Sequence, residues 1–183
     1  MNQTANPVAV KSKKWIMEAL VELMNQKNFQ EITVSELVLK ADVGRRTFYR
    51  NFSSKEDVLE SYLDIIISEL VFCLDAKDTL TSEFCLYQIF LLCKANQSFL
   101  NGLYKSNMLF FLLEKWNIML PVIHEQVADK IPDFPLQSDD KNLTYMLSFN
   151  VGGIWNIISG WVSNGMTESP KYLTEVTMDL IQF

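Results

Sequence analysis

The sequence predicts an all-α protein of about nine helices, with an N-terminal three-helix unit carrying a helix-turn-helix and a helical body behind it. Three observations predict it. Apolar residues recur at helical spacing from about Val8 to Lys27. Two short helices meet at a tight turn within residues 33–55. The remaining chain is a series of helix-length apolar segments broken by polar or proline-containing connections, without internal repeats or low-complexity runs.

The first helix is expected to carry a stripe of Trp15, Ile16, Ala19, Leu20, Leu23 and Met24, and to break at Asn28-Phe29. The second opens with a capping box: Thr33 can accept from an orphan backbone N–H while Glu36, three residues on, reaches back. Its stripe is Val34, Leu37, Val38 and Ala41. The turn Ala41-Asp42-Val43-Gly44 needs a residue that tolerates a left-handed backbone, and Asp is one of the few non-glycine types that does. A third helix starts near Gly44, with Phe48 and Phe52 inward at i, i+4. Ser54 can cap a fourth helix reaching about Leu74, its first turn holding the acids Glu56 and Asp57. Helices then follow over 83–95, 98–105 and 107–130, the first of them apolar nearly all round and so expected to be deeply buried, the last a long helix expected to bend at Pro121. Prolines make 131–138 a loop, Ser138 can cap a long uncharged helix that Gly165 ends, and Ser169-Pro170 opens the last helix.

The third helix carries the chemistry. Arg is suited to a bidentate grip on guanine in the major groove, and Thr can bond a base edge or touch a thymine methyl. Arg45, Arg46 and Thr47 stand at the helix N-terminus, where helix-turn-helix proteins usually touch bases. Tyr49, Arg50, Thr33 and Lys55 are better placed for phosphates, which fix register without carrying sequence information. The competing reading is a solvated basic face on an ordinary helical hairpin.

Three segments, Ile32-Thr33-Val34, Ala41 to Phe52 and Ser54-Lys55-Glu56-Asp57-Val58-Leu59, resemble the TetR-type (TetR/AcrR-like) transcriptional regulators over roughly residues 11 to 60. The match includes Thr47-Phe48-Tyr49-x-x-Phe52 and the Lys55-Glu56 pair that opens the fourth helix. The resemblance implies a DNA-binding domain over 1–56 and a helical effector-binding and dimerisation domain over 57–183. It implies base reading by Arg45, Arg46 and Thr47 and phosphate contacts from Thr33, Tyr49, Arg50 and Lys55. Two positions depart from the pattern: Asp42 stands where the family often has Gly, and Gly44 where it often has Ser, so a hydroxyl contact from position 44 does not carry over.

Composition fits a regulator. Residues 1–57 hold nine Lys or Arg against seven Asp or Glu, the rest seven against fifteen, so a mildly basic reader is joined to an acidic body. A net charge of −6 argues against a protein that simply coats nucleic acid. Cys73, Cys85 and Cys93 form no C-x-x-C pair and lie in apolar stretches, which reads as buried thiols in a reducing cytosol. The N-terminus shows no apolar core of signal-peptide length, so a cytoplasmic protein is expected. Leu143 to Val162 is uncharged and long enough to span a bilayer at about 1.5 Å per residue. Its polar residues and glycines favour another account, a helix–helix contact in a homodimer, with Ser148, Gly152, Asn156, Ser159 and Ser163 on one narrow arc.

The resemblance further implies a small-molecule effector pocket, for which Trp116, Met119, Phe149 and Trp155 are candidates; the competing reading is plain core. His124 alone cannot build a zinc centre, and no phosphate loop, H-E-x-x-H or G-x-S-x-G motif points to catalysis or a cofactor. The expected function is a sequence-specific regulator of double-stranded DNA, a ligand-relieved repressor acting as a homodimer on a palindrome. An activator, or a helical adaptor working through protein contacts, is the alternative.

Overall fold

The computed structural model describes residues 7–132 and 142–181. These form nine α-helices and no strand: α1 (Pro7–Gln26), α2 (Val34–Lys40), α3 (Arg45–Asn51), α4 (Lys55–Asp75), α5 (Ser82–Ala95), α6 (Gln97–Lys105), α7 (Leu109–Val127), α8 (Leu143–Ser163) and α9 (Pro170–Ile181). Short 3-10 turns at Phe29–Glu31 and Ala128–Lys130 were not anticipated from the sequence.

Helix stops explain much of the chain path. α2 ends with Asp42 at φ 52°, where the Val43 N–H bonds back to the Val38 carbonyl at 3.0 Å. α6 ends the same way at Asn107 (φ 55°), with Met108 N–H to Leu103 O at 2.8 Å. α8 ends at Gly165 (φ 80°), with Met166 N–H to Trp161 O at 2.8 Å. In each case a left-handed residue lets the next N–H satisfy a carbonyl that the helix leaves open.

The main core runs without a break from α1 to α9. It includes Ile16, Leu20 and Met24 of α1, Leu37 of α2, Phe48 of α3, Leu63 of α4, Phe90 of α5, Leu103 of α6, Trp161 of α8 and Leu173 of α9. A smaller cluster of Ile67, Leu70, Leu74, Leu80, Ile123 and Val127 closes the far end of α4 and α7. There the Leu80 N–H reaches the Lys130 carbonyl at 2.7 Å.

α1 and α6 pass close to one another at their seam. A Cβ on Gly102 would lie 2.8 Å from the Met24 Cβ, so only glycine lets these helices pack as they do. Polar bonds flank it: Asn25 Nδ2 donates to the Ser98 carbonyl (2.9 Å), Lys105 Nζ to the Asn25 carbonyl (3.0 Å) and the buried Phe29 N–H to Ser106 Oγ (3.0 Å).

Two expectations need correction. Trp15 is 49% exposed, because Ile16 takes the centre of the α1 stripe and the neighbouring position points about 100° away. α5 is not deeply buried all round: Leu86 and Phe90 are buried, but Leu91 is exposed, since α4 and α9 pack on it and leave one side open. The helix does run through Pro121 as expected; this residue lies inside α7, where it withholds the N–H that the Asn117 carbonyl would ordinarily receive. Most of the expected 131–138 loop, including Ser138, lies outside the described residues. Among the described residues, no helix is long and apolar enough to cross a membrane, α8 included.

Candidate nucleic-acid interface and body cavity

The α2–turn–α3 unit is fixed from several sides. Thr33 accepts from the Glu36 N–H (3.2 Å) while Glu36 Oε2 accepts from the Thr33 N–H (2.9 Å), which is the expected capping box. Lys27 Nζ ion-pairs with the other Glu36 oxygen and also reaches the Glu31 carbonyl (3.1 Å). The Lys27 contact, then the two Thr33 donors, hold the Glu36 carboxyl down to a pKa of about 2. Phe48 and Phe52 are buried beneath α3, at 0% and 2% exposure. At its C-terminal end Asn51 Nδ2 bonds the Thr47 carbonyl (2.7 Å) and Ser12 Oγ of α1 (3.2 Å).

With Phe48 and Phe52 inward, α3 presents Arg45, Arg46, Tyr49 and Arg50 to solvent, with Thr47 half-buried. Arg45 Nη2 donates to Ser35 Oγ of α2 at 2.6 Å, so this guanidinium is steered across the turn. The Tyr49 ring stands edge-on to Phe48, with centroids 5.2 Å apart, and is 60% exposed. Lys11, Lys13 and Lys14 of α1 are exposed as well; Lys13 sits over the Phe52 ring, 5.4 Å from its centroid. The face can therefore offer several cations and hydroxyls to a polyanion from a rigid mount.

Lys55 is placed differently from the rest. Its ammonium donates to the carbonyls of Phe29 (2.8 Å), Gln30 (3.0 Å) and Ile32 (2.9 Å) and lies over the Phe29 ring. An ammonium has three donors, so a phosphate contact from Lys55 requires exchange of one of these bonds. Sequence reasoning missed this post, as it missed Ser35, Asn51 and Ser106. The 3-10 turn that gathers the three carbonyls leaves no periodic signal.

In the body, α4, α5, α7 and α8 line a partly open cavity of about 160 Å³. A narrower apolar slot continues from it and shares Ile89, Trp116, Leu120 and Ile154 with it. Of the expected pocket residues, Trp116 lines both spaces and Trp155 lines the slot. Met119 packs against the far-end cluster instead. Phe149 is 80% exposed, on the outer side of α8, so it does not line this cavity: its neighbours Leu147 and Asn150 take the inward positions. His124 also lines the cavity, where burial lowers its pKa and favours the neutral ring.

The small-residue arc of α8 faces away from this chain. Ser148, Asn156 and Ser163 are exposed, and Gly152 and Ser159 half-buried. Their polar groups are already engaged on their own helix: Ser148 Oγ to the Thr144 carbonyl, Asn156 Nδ2 to Gly152 and Ser163 Oγ to Gly160, each at 2.8 Å. Covering this face would leave these three bonds in place.

Two family models match this architecture. Bacterial regulatory proteins of the tetR family match residues 16–62, and the transcriptional regulator C-terminal region matches 81–183. The chain belongs to the TetR family. It is a DNA-binding transcriptional regulator. A curated relative, the HTH-type dhaKLM operon transcriptional activator DhaS of Lactococcus lactis subsp. lactis (strain IL1403), is 25% identical over 174 residues, covering 93% of this chain and 90% of that protein. A solved structure named dihydroxyacetone kinase operon activator DhaS shares the fold, with a TM-score of 0.67, 23% identity, and coverage of 92% and 93% of the two chains. The fatty acid degradation regulator FadR from Bacillus halodurans shares it too, with a TM-score of 0.70, 18% identity, and coverage of 97% and 96%. These relatives are regulators rather than enzymes.

Proposed function

We propose that this TetR-family chain is a ligand-responsive repressor that binds a palindromic operator as a homodimer. The observation that carries the reading is α3, whose exposed Arg45, Arg46, Tyr49 and Arg50 stand on a helix anchored by Phe48, Phe52 and Asn51. In this reading Arg45, Arg46 and Thr47 meet base edges, while Tyr49, Arg50 and the Thr33 end of α2 meet phosphates. Residues 1–56 serve as the reading unit and 57–183 as the sensing and pairing unit.

Pairing uses α8. Its Ser148, Gly152, Asn156, Ser159 and Ser163 arc, joined by exposed Tyr145 and Phe149, supports close approach of a second copy. Two copies give two α3 helices, the arrangement needed for successive major grooves about 34 Å apart. Asn156→Arg is expected to convert a dimer to monomers by light scattering, and an unchanged mass would sink this interface. A ligand in the body acts only through differential affinity for two spacings of the reading helices.

The test is selection of duplex DNA from a random pool by the purified chain, with the Arg45→Ala/Arg46→Ala variant in parallel. A palindrome enriched by the wild type alone supports the reading. No enrichment by either protein overturns it. A second reading, activation rather than repression, is favoured by the curated relative, which is an activator by name.

A further inference from the structure

The body cavity constrains what can enter it. It is walled by Leu70 of α4, Ile89 of α5, Trp116 and Ile123 of α7, and Leu147 and Ile154 of α8. Ser82, His124 and Asn150 supply its polar edge, and among the described residues neither it nor the adjoining slot is lined by a Lys, Arg, Asp or Glu; the wider groove that shares Leu120, His124 and Leu147 adds Glu125 but no cation. A carboxylate or phosphate moved into such a space would lose its hydration with no fixed cation to replace it. The cavity's space of about 160 Å³, partly open, is large enough for one aromatic ring, since an apolar space of roughly 150 Å³ accepts one. A molecule with several hydroxyls would leave most of them against aliphatic wall.

From these walls we infer that the effector is a small neutral molecule, one ring or a comparably short hydrocarbon, bearing a single hydrogen-bonding group directed to the Asn150, Ser82 and His124 edge. The inference rests on the proposal that a ligand in the body controls DNA binding. Asn150 acts as the polar anchor, while Trp116 and Ile154 set the thickness of the apolar part. Trp116 also reports occupancy, because a molecule in the cavity lies against its indole.

The experiment titrates the full-length protein with benzyl alcohol, benzoate and glycerol, reading tryptophan fluorescence and calorimetric heat. Saturable binding of benzyl alcohol, with benzoate and glycerol at least about tenfold weaker, is the expected result. Ile154→Trp, which fills the space shared by cavity and slot, is expected to abolish binding while helicity by circular dichroism is retained. Should that variant fail to fold, Asn150→Leu provides the second test, weakening benzyl alcohol several-fold and leaving toluene unchanged. Benzoate binding as tightly as benzyl alcohol, or the absence of saturable binding by benzyl alcohol and toluene alike, overturns the inference. Affinity for a selected duplex, measured with and without saturating benzyl alcohol, separates the two claims. Tight binding in the cavity with unchanged DNA affinity would leave the ligand class standing and remove control by ligand.

Discussion

The helix-turn-helix and the cavity end of this protein are held together by different proportions of polar and apolar contact. Around α2 and α3 nearly every joint carries a polar bond in addition to buried apolar contacts: the Thr33–Glu36 box, Lys27, the Arg45–Ser35 bond, Asn51 to Ser12 and the three carbonyls held by Lys55. Between α4, α5, α7 and α8 the lining of the cavity is mainly apolar, with the Lys115–Asp64 ion pair lying outside that lining. Directional bonds specify one geometry, whereas apolar walls around a void can close or open at modest cost. The contrast sets a polar-bonded helix-turn-helix against a body that holds apolar space. The α1–α6 seam at Gly102 joins the two regions.

The sharpest way to break the contrast is to compare large-to-small substitutions. Within the range of about 2–5 kcal/mol for Leu→Ala, Leu37→Ala in α2 should lie near the top in urea unfolding and Leu147→Ala at the cavity wall near the bottom. Equal losses would mean that the cavity wall is as tightly specified as the reader. Next in size, Gly102→Ala should destabilise by about 1–3 kcal/mol, because the added Cβ meets the Met24 Cβ rather than a flexible side-chain tip. Ordinary helix propensity predicts the opposite sign, a gain of about 1 kcal/mol, so the sign alone decides whether the seam is as close as described.

Lys55→Met sharpens the distinction between a structural post and a phosphate contact. If the lysine serves its three carbonyls, stability falls by on the order of 1–2 kcal/mol and the salt dependence of DNA binding is kept. If it serves a phosphate, the slope of log K against log salt flattens by about 0.9 per contact and stability is little changed. A smaller effect belongs to the α2 cap, where Thr33→Ala should cost about 1 kcal/mol. Because the folded Glu36 pKa is depressed from 4.5 to about 2, its contribution is fully present above pH 4.5 and is lost as the pH falls from there towards 2. Acid titration of Glu36→Gln should therefore lose this component of the pH dependence in that window alone. Smallest of all, a thiol reagent should label the exposed Cys73 first, since burial raises the pKa of Cys85 and pushes the Cys93 thiol up to about 12.

What could be read in advance follows the same division. Local chemistry was legible. The capping box at Thr33 and Glu36, the left-handed Asp42 and the inward Phe48 and Phe52 each follow from rules that act within four residues. Relations between distant segments were not. Lys55 meets carbonyls more than twenty residues earlier in the chain, and Ser106 accepts from Phe29 across 77 positions. α8 shows the limit most clearly: it is apolar on most sides, so periodicity alone could not tell that Trp155 faces the slot while Phe149 faces outward.

The measurement that tests the account most directly is the salt dependence of binding to a selected duplex by the wild type and by Arg50→Ala. The account predicts a linear fall of log K with log salt for the wild type. It also predicts a slope flattened by about 1.8 in the variant, since each copy of a dimer loses one phosphate contact worth about 0.9. Binding that ignores salt, or a slope the variant leaves unchanged, would contradict α3 as the surface that meets DNA.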